Sequence, residues 1–441
     1  MVIKNSFSQR PYFPFTYSKN REIYICRLAP DTESVELQWL SEAESVEVVL
    51  CENGNEKKYR VNNSHSFSID GLKKNMLYSV YVSDGKYESN IRLFNTGDYH
   101  GKVINYIHKD DKQFDQIGSF LGSPSVVRYK GELYVSMDIF TKDEGSMNCT
   151  LIFKSSDNGV TWQYLTDIAP CEWGGLFVAQ DKLCILGCSG ENASAIISVS
   201  TDGLNWTIPS LVAFGSSGTR AKYGIIVSPN SKIILNNKLY ASYCIGSLGT
   251  GVIDCGILIC DLNKDITDST AWTRTNTVTV DHDWGGDPKI KYCEEGNIVE
   301  REGQIYCLLR FAHKRALMNK WDGETYKFYK IVDLPVAHCK FVISSRQKDG
   351  FYYCIGNDRC YPREKILLLK SPDLEKWEIV QIVDDISDLQ SETNGIQYPM
   401  FLPEGNDWPM VVRTALNDAD SFHNSNSITF NRINIKNDFN S

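Results

Sequence analysis

The stretch Ser155-Ser156-Asp157-Asn158-Gly159-Val160-Thr161-Trp162 decides the fold more than any other part of the chain. Its Asp side chain can accept hydrogen bonds from the backbone N–H groups of a turn, and its Gly can take a positive φ. The Trp that ends the stretch is large and apolar enough to fill the gap between neighbouring strands. The stretch therefore predicts a tight turn between two packed β-strands.

Two other stretches repeat this arrangement. Ser200-Thr201-Asp202-Gly203-Leu204-Asn205-Trp206 is a shortened copy, and Ser371-Pro372-Asp373-Leu374-Glu375-Lys376-Trp377 keeps the Ser, the Asp and the Trp. Repetition of one turn at intervals along a chain indicates a repeated supersecondary unit.

Short strand-like segments recur around these turns from residue 122 onward. We distinguish six units of four strands each, and units of roughly 35–65 residues are typical of β-propeller blades. The segment 102–107 is predicted to add a strand that closes the ring, which would hide the sheet edges. A stack of β-sandwiches is the rival fold. The first strands of the six units are predicted at 124–129, 175–179, 232–236, 296–301, 340–344 and 396–402.

The N-terminal part of the chain has a different pattern. Between residues 23 and 96, about seven short alternating segments are separated by turn residues, which favours a β-sandwich. Within residues 71–82, Tyr78 is placed to hydrogen-bond back across a corner between two strands. We therefore predict two domains: a β-sandwich at 1–98, which serves as a spacer or a dock, and a β-propeller at 99–441.

The three turns match the Asp-box pattern of bacterial neuraminidase repeats, so residues 118–436 resemble the sialidase superfamily. Residues 23–96 resemble a fibronectin type III domain. The resemblance implies an all-β chain in which a six-bladed sialidase-like β-propeller follows a small β-sandwich. Many proteins with such repeats hydrolyse glycosides, whereas others, such as sorting receptors and assembly factors, only bind.

The resemblance also implies catalytic residues. In sialidases an Arg triad binds the sugar carboxylate, a Tyr paired with a Glu is the nucleophile, and an Asp is the acid/base. Glu295 and Arg310 match the activating Glu and one triad Arg, and Tyr398 lies near the position of the nucleophile. A phenol has an ordinary pKa near 10, so it needs a neighbouring carboxylate to act as a nucleophile. Asp138, at the end of an apolar strand, is the candidate acid/base, and a structural role stays open for all four.

The first unit departs from the sialidase pattern. Sialidases place Arg-Ile-Pro before the first inner strand, whereas this chain has Leu121-Gly122-Ser123-Pro124-Ser125. Without that Arg a bidentate carboxylate contact is lost, which leaves the identity of the sugar open. Further candidate substrate-binding residues are the basic side chains His338, Lys340, Arg359 and Arg413, the polar loop residues His423 and Asn424, and Trp173 as a stacking face; packing or turn roles are the alternative for each.

Composition excludes several classes of function. The 441 residues carry a net charge of −9 without a basic patch, so we expect no nucleic-acid partner. No apolar run is long enough to span a membrane, and no motif for a cofactor or a metal is present. The 14 cysteines are read as free, mostly buried thiols of a reducing compartment. With no leader pattern at the N-terminus, we expect a cytoplasmic protein, or a secreted one whose signal peptide has been removed.

Two hypotheses of different classes follow. The first is a glycoside hydrolase that acts on a terminal sugar of a glycan at the centre of the propeller. The second is a carbohydrate-binding or scaffolding propeller without turnover, which the missing Arg favours. A sugar lyase on the same scaffold is a third possibility.

Overall fold

The computed structural model describes residues 14–20, 22–112, 118–140, 148–218, 222–281, 284, 293–389 and 391–435. The chain is all-β, as predicted. Apart from a short helix α1 (Phe15–Asn20) and 3₁₀ turns such as Ser269–Ala271, the elements of the described residues are strands. No helix in these ranges is both long enough and apolar enough to cross a membrane.

The N-terminal strands form two antiparallel sheets, ordered β1-β2-β5 and β4-β3-β6-β7. Along β6 the residues Tyr78, Val80 and Val82 are buried, which is the period of two expected for a strand with one face on a core. The predicted corner contact is present, because the backbone N–H of Lys73 donates to the Tyr78 hydroxyl at 2.9 Å. The strands are β1 (Tyr24–Pro30), β2 (Ser34–Leu40), β3 (Ser45–Glu52), β4 (Asn55–Asn62), β5 (Ser66–Asp70), β6 (Leu77–Ser83) and β7 (Arg92–Asn95).

Six further antiparallel sheets, numbered sheet 1 to sheet 6, follow in the described residues. Sheet 1 contains β9 (Phe120–Tyr129), β10 (Glu132–Phe140), β11 (Cys149–Ser155) and β12 (Gln163–Ile168). Sheet 2 contains β13 (Glu172–Ala179), β14 (Lys182–Cys188), β15 (Ala195–Ser200) and β16 (Ser210–Ala213). Sheet 3 contains β17 (Gly224–Ile226), β18 (Ile233–Leu235), β19 (Lys238–Ser247), β20 (Val252–Asp261) and β21 (Trp272–Arg274).

Sheets 4 and 5 each have four strands in chain order. Sheet 4 contains β22 (Glu294–Arg301), β23 (Gln304–Ala312), β24 (Arg315–Trp321) and β25 (Tyr326–Asp333). Sheet 5 contains β26 (Phe341–Ile343), β27 (Tyr352–Asn357), β28 (Lys365–Ser371) and β29 (Glu378–Asp385). Sheet 6 contains β30 (Gly395–Phe401), β31 (Asp407–Ala415), β32 (Ser427–Asn434) and β8 (Lys102–Tyr106).

The sheets form a closed ring. Sheets 1 and 2 meet through β9 and β13, sheets 2 and 3 through β14 and β17, and sheets 3 and 4 through β19 and β22. Contacts of β22 with β26, of β27 with β30 and of β30 with β9 complete the circuit. The outer strand of sheet 6 is β8, which precedes sheet 1 in the sequence and pairs with β32. The predicted closing strand at 102–107 is therefore present, and the ring is fastened by pairing the two ends of its own chain.

Sheet 3 differs from the prediction in its first strand. The sequence predicted one strand at 232–236, but two short strands, Gly224–Ile226 and Ile233–Leu235, both pair with β19. Pro229 lies between them, and a proline has no N–H to donate to a ladder, which accounts for the interruption. In sheet 2 the fourth strand begins at Ser210, beyond the predicted Trp206, which makes only an isolated bridge with Ser200.

The three Asp-containing turns connect the third and fourth strands of sheets 1, 2 and 5. In the first, Asp157 accepts a hydrogen bond from the Thr161 N–H at 2.9 Å, and the Ser155 hydroxyl accepts one from the Gly159 N–H at 2.7 Å. The φ of Gly159 is 95°, as the sequence required. Trp162 and Trp206 are buried. These local bonds explain why so short a motif recurs at each turn.

The sandwich and the ring share one buried apolar cluster, which includes Trp39 and Tyr164. The Gln38 amide of β2 donates to the Tyr164 carbonyl at 3.1 Å and accepts from the Tyr164 N–H at 2.9 Å. At the junction, the guanidinium of Arg92 pairs with Asp111, and both side chains are fully buried. Arg92 also donates to the Tyr106 carbonyl of β8 at 2.7 Å. The sandwich therefore holds the closing strand of the ring.

Replacing Arg92 with Met should strongly destabilise the protein, because the change breaks a fully buried ion pair with Asp111 and removes the hydrogen bond to the Tyr106 carbonyl. We expect a loss of about 3–5 kcal/mol in the free energy of unfolding, measured by urea denaturation. The matched control is Lys58→Met, which removes the exposed Lys58–Glu47 pair at 3.7 Å and should cost less than about 1 kcal/mol. Equal effects of the two changes would contradict the importance of the junction.

Candidate active site

A cavity of about 580 Å³ lies where the six sheets meet. Every sheet, or a loop beside it, contributes described residues to its wall. The lining includes Phe120, Ser123 and Phe140 at sheet 1, Glu172, Trp173 and Glu191 at sheet 2, Ile226, Ser228, Pro229 and Leu248 at sheet 3, Glu294, Glu295 and Arg310 at sheet 4, Lys340 at sheet 5, and Tyr398, Arg413, His423 and Asn424 at sheet 6.

Four of the first strands carry a β-bulge at this cavity. At each bulge two residues oppose a single residue of the neighbouring strand, and the pairs are Ser123-Pro124, Trp173-Gly174, Glu295-Gly296 and Tyr398-Pro399. The first residue of each pair has a φ between 47° and 55°. A bulge re-aims the side chain that it carries, and all four of these first residues line the cavity.

Positive φ is uncommon for residues as bulky as Trp and Tyr, and such backbone persists where surrounding contacts hold it in place. The sequence analysis did not predict the bulges. A signal was present, because each bulge has Pro or Gly as its second residue inside a predicted strand or at its edge. In strand interiors both residues mark bulges, since Pro lacks the donor and Gly lacks the side chain that regular pairing uses.

The carboxyl group of Asp138 is buried behind the cavity wall. Its Oδ2 accepts a hydrogen bond from the Trp173 N–H at 2.6 Å, and the Thr150 hydroxyl donates to Oδ1. Burial raises the pKa of Asp138 to about 7. The hydrogen bonds from Thr150, Trp173 and Ser123 oppose this effect, because they stabilise the charged carboxylate. Asp138 thus ties the bulge at Trp173 to the one at Ser123. The acid/base role stays a prediction, for a group that lies beside the cavity and not on its surface.

Arg310 joins the two adjacent carboxylates of β22. Its Nη1 lies 3.0 Å from Glu294 Oε1 and 3.2 Å from Glu295 Oε2, and its Nε donates to the His338 carbonyl at 3.2 Å. Burial disfavours the charge of Arg310, but Glu294 and Glu295 outweigh burial and keep the guanidinium pKa well above its ordinary value. Burial raises the pKa of Glu294, against Arg310. The predicted pair of Glu295 and Arg310 is therefore in direct contact.

Cations surround the Tyr398 ring. The Arg363 guanidinium lies 5.0 Å from the ring centroid, the Arg413 guanidinium 5.4 Å and the Lys340 Nζ 6.0 Å. Arg363 also hydrogen-bonds to the phenol. Positive charge at this range stabilises negative charge that develops on the phenol oxygen.

Gln397, the residue before Tyr398, organises this cluster. It is fully buried, its Oε1 accepts a hydrogen bond from Arg363, and its Nε2 donates to the carbonyls of Phe422 at 2.7 Å and His423 at 3.1 Å. Arg413 also donates to the His423 carbonyl. Gln397 therefore fixes Arg363 and the loop before β32 around the Tyr398 ring.

Two buried cations at the cavity keep unused donors. Lys340 Nζ and Arg413 Nε have no hydrogen-bond partner among the described residues, although the side chains are almost completely buried. Burial lowers the pKa of Lys340 to about 8, against Glu295 and Asp138, which raise it. Burial lowers the pKa of Arg413 to about 10. Donors left over in a cavity wall are available to a ligand or to water in the cavity.

The other predicted binding residues fall into two groups. Trp173, His423 and Asn424 line the cavity, and the charge of Arg413, together with burial, lowers the pKa of His423 to about 3, so its ring is neutral near pH 7. His338 and Arg359 are absent from the described cavity wall. Burial and the nearby His313 lower the pKa of His338 to about 4, so it does not supply the positive charge that the sequence analysis expected.

Sequence reasoning missed Glu172, Glu294, Arg363 and Gln397. Arg363 lies between two predicted strands, so its neighbours along the chain gave no sign that it faces Tyr398. Glu294 and Gln397 each precede a residue that was predicted, and in a regular strand the two members of such a pair would point to opposite faces. The described residues contain no group of three or more His, Cys, Asp or Glu side chains placed to hold a metal ion.

No family model matches the chain, and no curated protein sequence matches it. Solved structures are similar. A Trypanosoma rangeli sialidase in complex with 2,3-difluorosialic acid has a TM-score of 0.53 at 13% identity, covering 76% of this chain and 57% of that chain. The NanB sialidase from Streptococcus pneumoniae has a TM-score of 0.52 at 11% identity, covering 94% of this chain and 93% of its own.

A different enzyme has a similar score. The α-L-arabinanase of Penicillium chrysogenum complexed with arabinobiose has a TM-score of 0.51 at 13% identity, covering 76% of this chain and 98% of that chain. By contrast, the match with the trypanosomal sialidase covers only 57% of that longer chain, so this chain spans little more than half its length. Identities this low are informative about fold alone. Together with the closed ring of antiparallel sheets, they confirm that this chain has the sialidase-like β-propeller fold.

Proposed function

We propose that this protein is a glycoside hydrolase that acts on a terminal sugar of a glycan bound in the central cavity. The observation that carries the proposal is the placement of Tyr398 and Glu295 on matching bulges of the same cavity, with cations around the Tyr398 ring. The structural neighbours are named as a sialidase bound to a sialic acid derivative and an arabinanase bound to arabinobiose, which supports a carbohydrate ligand.

The proposed reaction has two displacement steps. The Tyr398 phenol oxygen attacks the anomeric carbon while its proton passes to Glu295, and the leaving alcohol departs with a proton from an acid. Water then cleaves the glycosyl–tyrosine bond, so the product keeps its anomeric configuration. Arg310 orients Glu295, and Arg363 and Arg413 stabilise the developing phenolate, which is a preorganised electrostatic contribution.

Two carboxyl groups are candidates for the acid that gives a proton to the leaving alcohol. Asp138 has the raised pKa that suits an acid at neutral pH, but its oxygens already bond to Thr150 and Trp173. Glu172 is on the cavity wall itself. We keep Asp138 as the proposed acid and name Glu172 as its rival.

We further propose that the sugar is acidic. Arg413 lies beside Gly122, where a Cβ would be 3.0 Å from the Arg413 Nη1. The stretch around Gly122 is where sialidases carry the Arg that this chain lacks. We propose that Arg413, reaching from sheet 6, supplies the missing guanidinium.

The finer architecture is part of this proposal. We interpret the six sheets as six propeller blades, the three Asp-containing turns as Asp boxes, and the N-terminal sandwich as a fibronectin type III-like domain. The hydrogen bonds of Asp157 and of Tyr78 support these interpretations. The alternative function is a carbohydrate-binding propeller without turnover, which the full burial of Asp138 favours.

Tyr398→Phe and Glu295→Gln test the proposed function directly. In a screen of chromogenic glycosides, natural neutral glycosides, uronosides and sialosides, we expect the native protein to release at least one sugar. Tyr398→Phe should lower kcat at least about 10³-fold and Glu295→Gln about 10²–10⁴-fold. The control is Tyr329→Phe, since Tyr329 is exposed and does not line the cavity. Saturable glycan binding without any released product would establish the alternative instead.

Asp138→Asn and Glu172→Gln identify the acid. Removing the acid should slow substrates with poor alcohol leaving groups about 10²–10⁴-fold. The same change should slow activated aryl glycosides much less, because a good leaving group departs without a proton. We expect this pattern for Asp138→Asn, from kcat values on both substrate types. The same pattern in Glu172→Gln alone would transfer the role to Glu172.

Arg413→Met tests the acidic sugar. Loss of a charge-assisted hydrogen bond should lower kcat/KM for an acidic sugar about 10- to 100-fold and affect its neutral analogue much less. Arg432→Met is the matched control, because Arg432 pairs with Asp407 at the surface. An equal loss with both sugars would assign Arg413 to stabilisation of the phenolate or to structure, and not to recognition of the acidic group.

A further inference from the structure

Lys340 is a buried amine that takes no chemical step in the proposed hydrolysis. Only 2% of the residue is exposed, yet it lines the cavity. Its Nζ has no hydrogen-bond partner among the described residues. Lysine ammonium groups are strongly hydrated, so burying one without a bonded partner is costly. An amine kept in this way at a cavity wall is a candidate for chemistry with a bound molecule.

Some groups around Lys340 raise its pKa and others lower it. Arg413 and burial disfavour the ammonium form, whereas the carboxyl groups of Glu295 and Asp138 favour it. The net result is a pKa of about 8. The charge of Lys340 also acts on Lys232, whose pKa burial lowers to about 7. A substantial fraction of Lys340 is therefore the neutral, nucleophilic amine at mildly alkaline pH.

A neutral amine can add to the carbonyl group of a bound molecule, and the residues around Lys340 indicate which carbonyl compound fits the cavity. Arg413 lines the same cavity and has an unused Nε, and it is close enough to Lys340 for their charges to interact. A molecule with a carboxylate next to its carbonyl could place the carboxylate on Arg413 and the carbonyl carbon at Nζ. Glu295 also interacts with Lys340, and its carboxylate can relay a proton from the amine to the carbonyl oxygen.

We propose that Lys340 is a carbonyl-reactive lysine that forms a reversible imine with a 2-oxo acid bound in the cavity. The nitrogen lone pair attacks the carbonyl carbon to form a carbinolamine. The carbonyl oxygen then leaves as water, with the two hydrogens that the amine carried, and a carbon–nitrogen double bond remains. No oxidant, reductant or metal takes part in this step. The proposal stands on the cavity and does not depend on glycosidase activity.

Reductive trapping tests the proposal on the full-length protein. The protein is incubated with pyruvate and sodium cyanoborohydride, which delivers hydride to an imine and makes the bond permanent. Intact-mass measurement and peptide mapping then locate the adducts. We expect Lys340 to be modified at least about tenfold faster than the exposed Lys74 near pH 8. The rate should rise with pH through about 8, as the ammonium form of Lys340 loses its proton.

Two variants sharpen the test. Lys340→Arg keeps a cation but removes the amine, so the fast adduct should disappear. Arg413→Met should slow the reaction of Lys340 with pyruvate about tenfold or more, and slow its reaction with the neutral ketone dihydroxyacetone much less. Modification of Lys340 no faster than Lys74 in the native protein would overturn the proposal, whether or not either variant folds. Equal slowing of pyruvate and dihydroxyacetone would overturn the choice of a 2-oxo acid.

Discussion

The cavity depends on four β-bulges, each in the first strand of one sheet of the ring. At each bulge two residues of the first strand lie opposite a single residue of the second strand. In a regular strand successive side chains alternate between the two faces. The extra residue breaks that alternation, so Tyr398, Glu295, Trp173 and Ser123 reach the central space. The buried carboxyl group of Asp138 holds two of these bulges through hydrogen bonds. Backbone geometry and side-chain chemistry are therefore fixed together.

Electrostatics at the site is a balance among buried groups of opposite sign. Arg310 is neutralised by Glu294 and Glu295, with both pairs closer than 3.5 Å. Arg413 and Lys340 are not neutralised in this way, and each keeps a donor without a partner among the residues that the structure describes. The free capacity for an anion consequently lies towards sheets 5 and 6. A ligand with an acidic group would place that group on this side of the cavity.

Local features of the fold could be predicted from the sequence, and contacts between distant segments could not. The Asp and Trp residues of the three turns act on neighbours within a few positions, so the short motifs were enough. Glu295 and Arg310 were predicted together because one short stretch that resembles the sialidase pattern carries both, and the two side chains are in contact. Arg363 was missed because its partner Gln397 belongs to another sheet. The interrupted first strand of sheet 3 was missed because the residues after Pro229 have the pattern of a single strand. The proline separates that strand from a second short one, Gly224–Ile226, which pairs with the same neighbour.

The closing strand has a consequence for how the chain folds. Tyr106 of β8 pairs with Ser427 of β32, so almost the whole ring must be synthesised before this pairing forms. Until then β8 is held by the sandwich, through Arg92 and through Arg27, which donates to the Ile104 carbonyl at 2.8 Å. The N-terminal sandwich can fold early during synthesis. A sandwich that folds first would hold β8 in place until sheet 6 is complete, so that this strand edge would be less available for pairing with other chains.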